Sequence, residues 1–325
     1  MKWHISHVFR ITTWLLFCAL PVVTLAPQAV AGKESIRLVV AFSPGGALDS
    51  ATRALAREAE KELGLDIIVQ NTPGGAGMTA VAQLAESEAD GLHLAACAGN
   101  ALLFLPHRNL VPYDPLRDVE PLLVFGQASP VLVTRPDAPW KDMASFLEAT
   151  RKNGGKMRIG VPGLGTPSHT ALAMIAAKDK TLSWRFIPFG GPGEAEAALL
   201  GGHVDAAASG ALPRIRQGQL FPLMILAGTG PDALPQTPSL SDGGFADPGR
   251  GDASFFLLAP KNVPEKMLNR LSPAFEKAAR SEAFLKELEH FSVAPVLKNR
   301  REAKAFLIEA WKEEEAALKA AGLAE

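Results

Sequence analysis

Three short glycine-bearing segments are the parts of this 325-residue chain whose residue types and spacing could do chemistry. Ser43-Pro44-Gly45-Gly46, Thr72-Pro73-Gly74-Gly75-Ala76-Gly77 and Gly163-Leu164-Gly165-Thr166 each follow a β-rich apolar run and open a stretch of helical periodicity. A helix start leaves backbone N–H groups without intrahelical acceptors, and the helix dipole favours an anion there. Glycine adds positive φ and close approach of backbone to ligand. Turns after neighbouring parallel strands share the carboxyl edge of a sheet, the usual ligand crevice. The chemistry read from these segments is recognition of a carboxylate or phosphate by backbone donors. One such turn is more often only a tight bend; three in the same context tip the balance modestly toward binding.

Other chemistries find little support. There is no G-x-x-x-x-G-K-[ST], and Pro44-Gly45-Gly46 lacks the G-x-G-x-x-G spacing of a dinucleotide site. Beyond the N-terminal His4 and His7, the histidines are His93, His107, His169, His203 and His290, without metal-ligand spacing. Ser209-Gly210 lacks the first glycine of a nucleophile elbow. Asp49 is either a general base or, more commonly for that position, a residue that caps a helix start. No pair of carboxylates is placed for acid–base work. Neither catalytic residues nor a metal or cofactor is expected.

The elements that must position the glycine turns alternate. Strands are expected at Ile36–Phe42, Leu65–Asn71, Leu92–Cys97, Val131–Thr134, Met157–Val161, Leu182–Phe186, Val204–Ala208 and Leu220–Ala227. Helices are expected at Leu48–Leu63, Gly75–Glu86, Lys141–Lys152, Thr166–Ala177 and Gly193–Leu200, with a helical tail of Pro264–Ala279, Glu282–His290 and Arg301–Ala320. In the first helix Leu48, Ala51, Leu55, Ala59 and Leu63 recur at helical spacing opposite Arg53, Arg57, Glu60 and Lys61. In the last, Phe306, Leu307, Ala310 and Trp311 mark a packing face. Strands separated by helices define an α/β chain and imply parallel pairing through right-handed crossovers.

Residues 1–31 read as a secretory leader. Lys2 and Arg10 precede an apolar run from Ile11 to Leu25, and Ala29-Val30-Ala31 supplies small residues before Gly32. Pro21 and Pro27 interrupt the apolar stretch, which is short against the roughly 20 residues a span needs. Cleavage is therefore expected rather than a stable membrane anchor. Cys18 follows Phe17, which does not suit a lipoprotein. The formal net charge is −1, and nucleic acid or an anionic membrane would want a basic patch instead. Cys97 would be the one cysteine left after cleavage, read as a buried small hydrophobe rather than a catalytic thiol.

The ordered motifs resemble those of the substrate-binding receptors of the tripartite tricarboxylate transporter family. The family pattern P-G-G-x-x-D-x-x-A-R is similar to Pro44-Gly45-Gly46-Ala47-Leu48-Asp49-Ser50-Ala51-Thr52-Arg53, with Thr52 in the alanine place. Asn71-Thr72-Pro73-Gly74-Gly75-Ala76-Gly77 resembles N-x-P-G-A-G-G. Asp90-Gly91, Tyr113-Asp114-Pro115 with Asp118, Gly163–His169, Gly201–Asp205 and Leu234–Leu240 follow in family order. Leu48 departs from a commonly small or hydroxylated position, and Pro188-Phe189-Gly190-Gly191 stands for P-Y-K-G.

What the resemblance implies is a periplasmic receptor with two Rossmann-like lobes, of the type II periplasmic-binding-protein kind, that closes on a small organic di- or tricarboxylate or a related acid. The expected limits are 32–126 with 228–325 for one lobe and 127–227 for the other. The implied ligand-binding residues are Phe42, Gly45, Gly46, Ala47 and Asp49 at the first turn, and Gly75, Gly77, Gly99 and Asn100 beside it. From the other lobe they are Gly165, Thr166, His169 and Asp205. His169 and Asp205 are read either as pocket contributors or as structural anchors. The implied partners are the ligand and membrane permease subunits, with the receptor a monomer; a sensor component is the alternative, and an enzyme on the same scaffold a more distant one.

Overall fold

The computed structural model describes residues 34–108, 110–227, 233–245 and 253–320. The expected leader, residues 1–31, lies outside these, as do Gly32, Gly228 and Glu325 at the expected lobe limits.

The first half folds as β1 (Ser35–Val40), α1 (Ala47–Leu63), β2 (Asp66–Asn71), α2 (Met78–Ala85), β3 (His93–Ala98), α3 (Phe104–His107) and β4 (Val119–Gln127). The second runs β5 (Val131–Thr134), α4 (Met143–Asn153), β6 (Met157–Val161), α5 (Pro167–Lys178), β7 (Trp184–Pro188), α6 (Pro192–Leu200), β8 (Ala206–Ser209), α7 (Leu212–Arg216) and β9 (Phe221–Ile225). The chain returns with β10 (Ser254–Pro260) and ends in α8 (Glu265–Ala278), α9 (Glu282–His290) and α10 (Arg300–Ala320). Two five-stranded sheets result, ordered β2-β1-β3-β10-β4 and β7-β6-β8-β5-β9. The molecule is a two-lobe α/β protein.

Period-two alternation builds the core on both faces of each sheet. Ile36, Leu38, Val40, Leu94, Ala96, Phe255 and Leu257 pack on one side of the first sheet under α1, α8 and α9. Ala41, Ala95, Cys97, Phe256 and Leu258 pack on the other, where α10 supplies Ala303, Leu307 and Ala310. Phe306 stacks on Phe256 at 5.9 Å between ring centroids, so α10 is a packing helix. Cys97 is fully buried and burial pushes its thiol pKa up, as a small core hydrophobe requires. Ile159, Leu132 and Ala206 share one core of the second sheet, and Val131, Val133 and Ala207 the other.

The expectation of parallel pairing holds only for the βαβ units. β1 pairs parallel with β2 and β3, and β6 with β7 and β8. β10 runs antiparallel to β3 and β4, and β5 antiparallel to β8 and β9. The crossover rule constrains strand–helix–strand units. β5 and β10 are the strands that enter each sheet from the other one, so they are free of it. β4 and β10 are also absent from the periodicity. Glu120, Pro121 and Gly126 interrupt β4, and β10 is an apolar run buried on both faces. Two register shifts in their pairing accommodate the irregular strand. Glu120 is itself buried. Burial opposes its charge, but Lys261, Lys304 and Arg300 hold its carboxyl below the usual range.

Candidate functional site

The glycine turns of the two lobes meet, and those at Gly45, Gly165 and Gly190 are locked by the same device. At the β1–α1 turn Gly45 takes φ +88°, and its N–H is accepted by Asp49 Oδ2 at 3.0 Å. At the β6–α5 turn Gly165 takes φ +83°, and its N–H is accepted by His169 Nδ1 at 3.1 Å. After β7 the Gly190 N–H is accepted by Glu194 Oε2 at 3.0 Å. In each case the acceptor sits four residues beyond the glycine, on the first turn of the helix.

These acceptors have different surroundings. Asp49 is buried, and its Oδ1 also accepts from Arg53 Nε at 2.9 Å and Asn71 Nδ2 at 2.8 Å. Arg53 Nη2 donates to Asn71 Oδ1 at 2.7 Å, and Asn71 Nδ2 also reaches Phe42 O at 2.9 Å. β1, α1 and β2 are thereby joined under the turn. His169 lies edge-on to Phe186 at 4.7 Å. Burial pushes its pKa down, which favours the neutral ring, and acceptance of the Gly165 N–H at Nδ1 puts that ring's proton on Nε2. Thr166 Oγ1 donates to Gly163 O at 2.9 Å and closes this turn from the other side.

With the Gly45 and Gly165 N–H groups committed, the first helical turns supply further donors for a ligand. The first intrahelical bond of α1 is Ser50 N–H to Gly46 O, at 3.0 Å, and that of α5 is Thr170 N–H to Thr166 O, at 2.9 Å. The N–H groups of Ala47 and Leu48 in one lobe, and of Ser168 in the other, precede these bonds. Ala47, Leu48, Thr166, Pro167 and Ser168 line a single cavity of about 90 Å³. Phe42, Ala98, Asn100, Pro130, Pro162, Pro192 and Phe255 complete much of its wall. Among the described residues none of the lining side chains carries a charge.

The lobes touch at their glycines. A Cβ on Gly46 would stand 2.8 Å from Pro192 Cγ, and one on Gly163 would stand 2.9 Å from Ala76 Cβ. Ser43 N–H donates to Gly190 O at 3.0 Å, and Ser43 Oγ donates to Glu194 Oε1. The Phe189-Gly190-Gly191 departure is therefore a backbone contact across the interface. Behind it lies a larger recess of about 550 Å³, lined by Ser43, Pro44, Gly45, Glu194, Glu196, Arg214 and Gln217 among others. Burial pushes the Glu196 carboxyl up, even though Ser209 and Arg214 stabilise its charge. Two carboxylates make this recess a poor place for an anion despite its size, whereas the inner cavity has helix starts and no acid.

Of the residues expected to contact ligand, Phe42, Ala47, Asn100 and Thr166 line the inner cavity. Asp49 and His169 do not. They are acceptors committed to Gly45 and Gly165, so they build the site without lining it. Gly46 lies under Pro192, while Gly75, Gly77 and Gly99 shape the backbone beside Asn100, whose Nδ2 donates to Ala76 O at 2.8 Å. Asp205 is elsewhere. It precedes β8, at the amino edge of the sheet, where Oδ1 and Oδ2 accept from Arg158 Nη2 and N–H, both at 2.8 Å. It anchors two strands, as the structural one of its two readings has it. Pro162, Pro192 and Phe255 were not singled out; prolines and an apolar strand residue carry no polar signal.

Residues 51–323 match the model of the family described as tripartite tricarboxylate transporter family receptor. The chain belongs to that family. The receptor is 31% identical over 311 residues to the UPF0065 protein in the gbd 5′ region of Cupriavidus necator, covering 94% of each chain. It is similar to a solved periplasmic transporter with TM-score 0.79 and 28% identity, over 90% of this chain and 98% of that one. It shares the fold of MatC from Rhodopseudomonas palustris, solved with bound malate, with TM-score 0.78 and 23% identity over 90% and 99% of the two chains. The family resemblance read from the ordered motifs is borne out, and the chain is a solute-binding receptor. Among its described residues no helix is long and apolar enough to cross a membrane.

Proposed function

We propose that this receptor captures a small organic carboxylate in the periplasm and hands it, as a monomer and without chemical change, to the membrane subunits of a tripartite transporter. The observation that carries the reading is the convergence of two helix N-termini, α1 and α5, from opposite lobes on one cavity with no charged side chain in its wall. A carboxylate there would receive backbone N–H groups from both lobes, so binding would favour the closed form by differential affinity. The malate held by MatC on the same fold supports the carboxylate class.

Lobe limits of 32–126 with 228–325 and of 127–227 would place the hinge at the two crossings near Gln127 and Gly228. Calorimetry with a panel of mono- and dicarboxylates against the corresponding primary amides tests the anion. At least one acid is expected to bind about tenfold or more tightly than its amide, the worth of a charge-assisted hydrogen bond. Equal binding of acids and amides overturns the reading. Small-angle scattering should show a smaller radius of gyration with a bound acid. N-terminal sequencing of the exported protein should begin at Gly32, and an intact Met1 counts against the leader.

A further inference from the structure

Four polar side chains stand in the wall of the inner cavity, Asn100, Thr166, Ser168 and Ser209, and none offers an acceptor to a ligand. Thr166 Oγ1 gives its proton to Gly163 O at 2.9 Å, so in its 3.3 Å contact with Ser168 Oγ the serine is the donor. Thr166 and Ser168 are each only 2% exposed. Asn100 Nδ2 is spent on Ala76 O. Asn100 Oδ1 and Ser209 Oγ have essentially no accessible surface, so a ligand cannot touch them.

Backbone carbonyls of the wall are taken as well. Phe42 O accepts from Asn71 Nδ2 at 2.9 Å, Leu48 O from Thr52 Oγ1 at 2.6 Å, and Thr166 O from the Thr170 N–H at 2.9 Å. Pro130 O accepts from the Leu226 N–H, Gly210 O from that of Leu212 and Ala253 O from that of Ala128, at 2.7, 2.7 and 3.0 Å. The half-buried side chains of the wall are all apolar: Ala128, Pro130, Pro162 and Pro192. A carboxylate needs donors, which the helix starts supply. A hydroxyl or ammonium elsewhere on the ligand needs acceptors; against this wall it would lose water without replacing it, which is costly and most so for the charged group.

We infer that the ligand is a plain carboxylic acid, with hydrocarbon and no hydroxyl or amino group on the carbons next to the carboxylate held by the α1 and α5 starts. This rests on the carboxylate reading above and narrows it. Calorimetry on the intact receptor with three series of matched skeleton tests it: propionate, lactate and alanine; butyrate, 3-hydroxybutyrate and 3-aminobutyrate; succinate, malate and aspartate. The primary amide of the tightest ligand completes the set. In the series that binds most tightly, the plain acid should bind about tenfold or more tightly than its hydroxy and amino counterparts, the cost of a donor left without an acceptor. If the hydroxy or amino acid comes within about threefold of the plain acid or exceeds it, while the amide binds about tenfold or more weakly, the inference is overturned and the carboxylate reading stands. If the amide binds as well as its acid, or no acid in the set binds, both are overturned.

Discussion

The β1–α1 turn of one lobe and the β6–α5 turn of the other solve one problem with different chemistry. Both hold a glycine at positive φ by giving its N–H to a side chain four residues on. In the first lobe that side chain is a carboxylate already carrying Arg53 and Asn71. In the second it is an imidazole packed on Phe186. The geometry of the turn is what both lobes need for closure, and any acceptor that reaches the glycine N–H supplies it. The difference is in what else depends on the acceptor: a network of three elements in one lobe, one bond and a ring contact in the other.

Removing each acceptor is the sharpest way to break the comparison. Asp49→Ala strips partners from Gly45, Arg53 and Asn71 together, and should cost about 2–4 kcal/mol, as for breaking a buried hydrogen-bonded charge. Urea unfolding checks it; a loss no larger than that of His169→Ala would mean the network is not what distinguishes the lobes.

Gly46→Val acts on closure instead of the turn. Gly46 has φ −85°, so a side chain meets no backbone strain, but its Cβ would stand 2.8 Å from Pro192 of the other lobe. We expect about a ten- to hundredfold loss of affinity, roughly 1.4–2.7 kcal/mol, with near-normal unfolding. Unchanged calorimetric affinity for an acid bound by the parent would show that this contact does not limit closure.

The imidazole makes the second turn sensitive to pH. The folded His169 pKa lies below its ordinary 6.5, so below that pH the unfolded chain takes a proton the folded turn resists. Its contribution is present above 6.5 and is lost as pH falls through and below that value, by about 0.5–1 kcal/mol for one neutral hydrogen bond. His169→Asn keeps an acceptor near Nδ1 that does not titrate, and should flatten this part of the stability profile. An unaltered profile would place the sensitivity elsewhere. The smallest effect is expected from Lys61→Ala. Lys61 pairs with Glu58 on the exposed face of α1, and affinity and stability should stay within about 0.5 kcal/mol of the parent.

Much of this was legible in the chain. The α1 pattern of Leu48, Ala51, Leu55, Ala59 and Leu63 gave the helix and its buried face, because helical period and burial are local properties. The glycine turns were visible for the same reason. Asp49 and His169 could be noticed but not assigned. A side chain four residues past a glycine can face a ligand or turn back to the glycine, and only the conformation of the turn decides. Glu194 went unnoticed as the third such acceptor.

By itself, the sequence determined the α/β class, the family and the places where backbone donors are exposed, since these follow from periodicity, glycine placement and ordered motifs. Tertiary structure alone decided that β5 and β10 run against their neighbours and that Asp205 is spent on Arg158. Each of these depends on which distant backbone or side chain arrives alongside. The distance between Asp205 and Arg158 in sequence, or between Gly46 and Pro192, carries no periodic signal: the pairing of β6 with β8 brings the first two together, and the meeting of the two lobes the second.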